Sequence, residues 1–372
     1  MKIAFLSVFY PFRGGIAQFN FDLYKALVKE NEVELFNFSL QYPNFLFPGK
    51  TQYLEEGNNT THSENKRVLN SVNPITYFSS AKAIKDYNPD ILLIGYWMPF
   101  VGPSLGTVAG LLRKDCKVIS IVHNAIPHEQ KIIDKPFSKY FLKRNHGLIA
   151  LSHAVENDIH KLYPKAKTRV VKHPVYTNFG KALDRAEARE KLSVPQNAHV
   201  MLFFGIIREY KGLKLLLETV KSLPKNYFLL CAGEVYGDDS QYQELLNHPD
   251  LKGRVKFDDK YIADNEVKNY FCAADVNVLP YSSATQSGIS SIALHFNLPQ
   301  IVTDVGGLKE CIEIGKTGLL VKERNESSLK ATILEYFQEG YRDEFVENMK
   351  ASNQSVSWEN MSEEIVDFAN SL

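Results

Sequence analysis

Short apolar runs rich in β-branched residues alternate with longer segments of helical period along the whole chain. In the first half the pattern predicts strands over 2–8, 33–38, 90–96, 117–123, 147–151 and 168–173. Helices are expected between them, over 17–30, 74–87, 106–113, 136–144 and 153–162. The pattern then restarts, with strands expected over 199–205, 227–233, 254–257, 276–280, 300–304 and 318–321. The accompanying helices fall at 212–223, 240–247, 264–274, 288–296 and 326–339. Runs such as Asp90-Ile91-Leu92-Leu93-Ile94-Gly95 are apolar without alternation, the signature of parallel strands buried on both faces.

Strand–helix alternation of this kind predicts an α/β protein of two doubly wound, Rossmann-like parallel-sheet domains. The break is placed at 174–181, where Pro, Thr, Asn and Gly interrupt the pattern, so the first domain is 1–173. The polar segment 57–66 reads as a mobile loop of that domain. Two such domains would face each other across a cleft, with ligands at the carboxyl ends of the strands.

Composition adds limits. The chain has 372 residues, enough for more than one core, and its 44% hydrophobic content excludes wholesale disorder. Lys and Arg number 43 and so do Asp and Glu, a balance that argues against a nucleic-acid binder. The balance is uneven along the chain: residues 1–174 carry 22 basic and 14 acidic side chains. The four cysteines (Cys116, Cys231, Cys272, Cys311) are widely spaced and read as buried thiols of a reducing, cytoplasmic compartment. The apolar opening lacks a cleavage site and reads as a first strand, and no run of about 18 apolar residues is present.

Chemistry concentrates in the turns after strands. Gly14-Gly15, with Gln18 just beyond, opens a helix, which is either a plain tight turn or an approach for an anion. His123-Asn124 ends a buried strand and is followed by His128; these residues are either structural hydrogen-bonders or substrate contacts, and metal-ligand spacing is lacking. In the second half, Gly205-Ile206-Ile207-Arg208-Glu209-Tyr210-Lys211-Gly212 places two cations in one turn, suited to a diphosphate or simply solvated. Gly233-Glu234 ends the next strand. Thr285-Gln286-Ser287-Gly288-Ile289 leads into a helix whose free N–H groups offer an anion site, unless Ser287 is only an N-cap.

Taken together, these turns resemble glycosyltransferase family 4, retaining enzymes of the GT-B fold. Gly14-Gly15-Ile16, His123-Asn124 and the segment from Gly205 to Gly212 resemble its loops; 298–310 with 317–321 is the nearest match. Trp358 and the final segment resemble the family's terminal helix, which implies that 356–372 crosses back onto the first domain and that the second domain is 174–355. The resemblance implies transfer of a hexose-type sugar from a nucleoside-diphosphate sugar, without cofactor or metal. The acceptor would be a glycan or polyprenyl-diphosphate-linked precursor in cell-surface polysaccharide synthesis. It gives catalytic roles to His123, Arg208 and Lys211. Donor contacts fall to Gly14, Gly15, Gly205, Gly233, Glu234 and Thr285 through Ile289, and acceptor contacts to Gln18, Asn124 and His128.

Two departures from the family pattern stand out. The paired glutamates align with Ala284 and Ile292, and Ile206 stands where the arginine usually follows the glycine. A non-catalytic nucleotide-sugar binder is therefore an alternative; an epimerase would lean on Glu129, Glu234 or Glu310. Asp238-Asp239 and Asp258-Asp259 read as surface acids. The basic first domain is suited to peripheral contact with anionic lipid at the inner face of the membrane.

Overall fold

A computed structural model describes residues 1–43, 51–53, 64–127, 131–176, 179–285, 287–352 and 357–372. The chain divides into two compact units, Met1–Pro174 with Val356–Leu372, and Val175–Ser355.

The first unit opens with β1 (Lys2–Ser7), α1 (Gly15–Leu27), β2 (Glu32–Leu40), β3 (Lys66–Asn70) and α2 (Ile75–Tyr87). It continues with β4 (Ile91–Tyr96), α3 (Gly102–Leu112), β5 (Lys117–Val122), α4 (Asp134–Leu142), β6 (Gly147–Ala150), α5 (His153–Leu162) and β7 (Thr168–Val170). The seven strands form one parallel sheet in the order β3-β2-β1-β4-β5-β6-β7. β1 and β4 lie in the middle and are almost wholly buried, which is why they read as unbroken apolar runs. β3 was not expected. It is an edge strand in which Leu69 alone is buried, so it carries no apolar run, and it begins at Lys66, inside the stretch read as a loop. Most of that stretch lies outside the described residues.

The second unit contains α6 (Arg185–Lys191), β8 (His199–Phe204), α7 (Leu213–Ser222), β9 (Tyr227–Ala232), α8 (Ser240–Leu246), β10 (Val255–Asp258) and α9 (Asp264–Ala273). β11 (Val276–Leu279), α10 (Gly288–His295), β12 (Gln300–Thr303), β13 (Gly318–Val321), α11 (Glu326–Gln338) and α12 (Arg342–Ser352) complete it. Its parallel sheet runs β10-β9-β8-β11-β12-β13. The apolar core fills the space between this sheet and helices such as α7 and α11. The segment at the start of this unit is not a bare linker. Tyr176 and Phe179 are buried with their rings 5.7 Å apart, and the Leu183 N–H donates to the Cys272 sulfur at 3.3 Å.

The last helix, α13 (Trp358–Asn370), packs on α1, β5 and β6 of the first unit. Gly147 makes room for it: a Cβ there would lie 2.6 Å from a Phe368 ring carbon. All four cysteines are free thiols. Only Cys231 is fully buried; Cys116, Cys272 and Cys311 are partly covered on helix and turn ends, which corrects the expectation of four buried thiols.

Candidate active site

In each sheet the strand order reverses once, between β1 and β4 and between β8 and β11. The carboxyl ends of the strands at such a reversal diverge and leave a crevice. The turns after β8 and β11 carry most of the residues singled out in the second unit.

The turn after β8 is held by close backbone contacts. Gly205 adopts φ +94°, and its N–H donates to the Ala232 carbonyl at 2.9 Å. Gly233, at φ +145°, passes so near that a Cβ there would sit 2.0 Å from the Gly205 carbonyl oxygen. No other residue fits at that crossing. Ile207 then pairs with Val235, its N–H donating to the Glu234 carbonyl at 2.9 Å, which leaves Glu234 buried. A short 3-10 turn at Glu209–Lys211 follows, with Arg208 half-buried ahead of it.

Lys211 is the notable side chain here. It is only 9% exposed, and its ammonium lies 3.5 Å from where a Gly205 Cβ would be and 5.6 Å from the centre of the Tyr281 ring. Burial, and then the neighbouring Arg208 charge, push its pKa from 10.5 down to about 8. A cation held this way is under-solvated and stands to gain from an incoming anion. The Tyr281 face supplies the partial compensation of a cation–π contact.

The turn after β11 is fastened to the first. The Ser282 N–H donates to the Tyr210 carbonyl at 2.7 Å, and the Pro280 carbonyl accepts from Arg324 Nε at 3.1 Å. Thr285 and Ser287 are buried, and Ser287 stands at the N-cap of α10 in extended conformation without a side-chain capping bond. Gly288 opens the helix, and among the described residues the nearest atom to a Cβ there would be the Tyr176 hydroxyl at 3.9 Å. The positive end of α10 therefore has room beside it, and Ile289 packs over Gly205 at 2.8 Å from its would-be Cβ. Gln286 lies outside the described residues.

Ala284 and Ile292, where the resemblance would put glutamates, are buried. Ala284 packs with Leu279, Tyr281, Val302, Leu308 and Ile312, and its carbonyl accepts from Gly307 at 3.0 Å. A carboxylate there would have to enter this apolar cluster. The aspartate pairs are not idle surface acids throughout. Asp258 accepts from the Tyr270 hydroxyl at 2.8 Å, Asp259 from the Val235 N–H at 2.9 Å, and Asp238 from the N–H and hydroxyl of Ser240.

In the first unit, Gly14 and Gly15 stand after β1 at the mouth of α1, and a Cβ on either would meet nothing within 4 Å among the described residues. Gly14 takes φ +115°, a conformation costly for other residues. Gln18 is engaged at both ends of its amide, accepting from the Tyr10 hydroxyl and donating to Asp22 at 2.7 Å.

His123 follows β5. It is 3% exposed, and its ring meets Phe19 edge-on with centroids 4.6 Å apart. Phe19 in turn touches His173 and Trp358, each at 5.0 Å, so the terminal helix helps to back the histidine. Burial, with His173 nearby, drives the His123 pKa down to about 3, and burial drives His173 to about 4. His123 is therefore a neutral imidazole at pH 7, a hydrogen-bonding group rather than a cation. The Oδ1 atom of Asn124 is buried and has no hydrogen-bond partner among the described residues. His128 and Glu129 lie outside those residues.

Sequence reasoning missed Tyr281, Phe19 and His173 as supports of the two clusters. Aromatic residues at strand ends and on α1 carry no local signal for this, because the contacts join segments far apart in the chain.

Comparison with known proteins points one way. Residues 198–339 match the model of glycosyl transferases group 1, and residues 13–179 that of Glycosyltransferase Family 4. An uncharacterized glycosyltransferase of Methanocaldococcus jannaschii is 24% identical over 371 aligned positions, spanning 96% of this chain and 95% of that one. Among solved structures, sucrose-phosphate synthase from Thermosynechococcus elongatus superposes with a TM-score of 0.78 at 19% identity, over 100% of this chain and 99% of that one. Anabaena HepE in complex with UDP-glucose does so with a TM-score of 0.76 at 15% identity, over the whole of both chains.

Proposed function

Because this chain is a glycosyltransferase of the GT-B fold that resembles family 4, we propose that it moves a hexose-type sugar from a nucleoside-diphosphate sugar with retention at the anomeric carbon. The acceptor in this reading is a glycan or a polyprenyl-diphosphate-linked precursor of a cell-surface polysaccharide. The enzyme works in the cytoplasm and touches anionic membrane peripherally through its basic first unit.

The observation that carries the reading is the under-solvated Lys211 ammonium beside Gly205 and the Tyr281 ring. When the bond from the anomeric carbon to the phosphate oxygen breaks, negative charge builds on the diphosphate. Lys211 and Arg208 neutralise that charge, and the N-terminus of α10 at Gly288 adds its dipole. The reading assigns no role to a metal ion. The UDP-glucose held by the Anabaena protein of the same fold supports a nucleotide-sugar donor. With Ala284 and Ile292 in place of carboxylates, Thr285 and Ser287 supply neutral contacts to donor hydroxyls, and Glu234 and Gly233 border the nucleoside. The resemblance gives His123 a contact with the transferred sugar, for which a neutral imidazole is suited. Asn124, whose Oδ1 has no partner among the described residues, is the acceptor contact of this reading, and Gln18 serves by holding α1 against Tyr10.

Incubation with a panel of nucleoside-diphosphate sugars, following nucleoside diphosphate and the anomeric configuration of the product, tests the proposal. One donor should turn over with retention. Lys211→Ala should lower kcat by about 10²–10³-fold, the usual cost of losing one charge-stabilising donor. Unimpaired turnover by that variant, or an inverted product, sinks the reading.

A further inference from the structure

The positive excess of the first half comes from one stretch. Residues 1–110 carry nine basic and nine acidic side chains, whereas residues 111–172 carry 13 basic and five acidic. This stretch runs from the end of α3 through β5, α4, β6, α5 and β7.

Lys131, just ahead of α4, and Lys135, Lys139 and Lys143 recur every four residues, and all four are exposed. Each step of four turns the helix only about 40° past a full circle, so Lys135, Lys139 and Lys143 form one slowly winding outward stripe, with Lys131 just ahead of it in the chain. The opposite face of α4 is closed by buried Ser138, Phe141 and Leu142.

Further cations flank the stripe. Arg113 reaches the Lys143 carbonyl at 3.3 Å, and burial first, then the charges of Arg113, Lys117 and Lys167, push the His146 imidazole below its ordinary pKa. The four acids of the stretch among the described residues are engaged away from the stripe or with backbone. Asp134 is buried and accepts from the Lys131 N–H at 2.7 Å; Asp115 pairs with Lys85 at 2.9 Å and Asp158 with Lys161 at 2.8 Å. Glu156 accepts from Thr168 at 2.8 Å.

Large apolar side chains stand in water at one rim of the same layer. Ile132 is 97% exposed and Ile133 51% at the start of α4, while Ile75 is 77% and Phe78 60% exposed at the start of α2. α3 packs between α2 and α4. Both helices follow parallel strands of one sheet, so their first turns lie at the same end of it.

We propose that this helix layer is a membrane-docking surface, with the lysine stripe of α4 against anionic lipid phosphates and Ile132, Ile133, Ile75 and Phe78 entering the headgroup boundary. Apolar tips on separate helix ends suit insertion at several points into a fluid interface, and the adjoining stripe of exposed lysines, with no ion pair among the described residues, complements an anionic bilayer. The inference deepens the peripheral membrane contact proposed above and rests on it, but its test reads binding and not transfer.

The full chain is floated with phosphatidylcholine vesicles, with and without phosphatidylglycerol, at low and high salt. Binding should require phosphatidylglycerol and weaken with salt. A variant with Lys131, Lys135, Lys139 and Lys143 changed to Gln should bind at least about ten-fold less, since each lysine near such a surface contributes about five-fold. Ile132→Asp with Ile133→Asp should also lose binding. Both variants should keep the wild-type melting temperature and donor turnover. Wild-type protein that turns over donor yet stays off anionic vesicles, or a four-lysine variant that floats like wild type, overturns the docking surface and leaves the enzymatic reading intact. Wild-type protein that floats but turns over no donor supports the surface and removes the enzymatic reading instead.

Discussion

Three side chains, Lys211, His123 and His173, make binding and stability depend on pH. Lys211 titrates near 8 because it is buried and faces Arg208. An anion beside it would raise that pKa toward 10.5, so binding takes up a proton over the interval between the two values. Affinity for a nucleoside diphosphate should be full below pH 8 and fall as pH rises through about 8. Calorimetric titration in buffers of different ionisation heat should show proton uptake on binding in that range; uptake absent at pH 8–9 would mean that the ligand does not meet Lys211. His123 and His173 act in the opposite direction. Their folded pKa values, about 3 and about 4, lie below the unfolded value of 6.5, so the unfolded chain binds more protons between these limits. Stability should be full above about pH 6.5 and decline as pH falls below it, by about 1.4 kcal/mol per pH unit for each histidine. Urea midpoints followed by Trp97 and Trp358 fluorescence report this unit, and His173→Phe should flatten the slope.

At the scale of elements, the second unit depends on a clamp that the sequence does not announce. Asp275, at the turn between α9 and β11, is buried. Its carboxylate receives Arg189 at 2.8 Å, Arg185 at 2.7 Å and the Val200 N–H at 2.8 Å, while Arg342 stands 3.7 Å away. The Tyr336 hydroxyl donates to its carbonyl at 2.8 Å. One residue thus ties α6, β8, α11 and α12 together. Arg189 is itself buried, with burial pushing its guanidinium down and Asp275 opposing the shift. Asp275→Ala would leave that charge without its partner, and should cost about 3–5 kcal/mol. Both tryptophans lie in the other unit, so the loss is best read by far-UV circular dichroism in urea. α6 and α12 are the helices that neither the periodicity nor the resemblance predicted; both are rich in charged residues and carry little apolar pattern. For α6 a signal existed: Asp184 caps it by accepting from Ala186 and Glu187, and an acid three residues after an N-cap residue marks a helix start.

At the scale of the whole molecule, length and net charge proved less informative than their distribution. The balance of 43 against 43 conceals one basic helix layer, with a cationic turn in the other unit. The repeated strand–helix pattern was enough for two parallel sheets, because strands buried on both faces carry their environment in their own composition. Glycines at strand ends and the cations between Gly205 and Gly212 marked the candidate turns for the same local reason. Those signals determined element types, the doubly wound class and which turns to inspect. Only the tertiary structure decided strand order, the crossing of Gly233 over Gly205, the Tyr281 face under Lys211, the aromatic backing of His123 and the exposure of Ile132 beside four lysines. These are meetings of residues distant in sequence. Burial, and with it the charge state of Lys211 and His123, depends on what folding brings alongside and not on the neighbours along the chain.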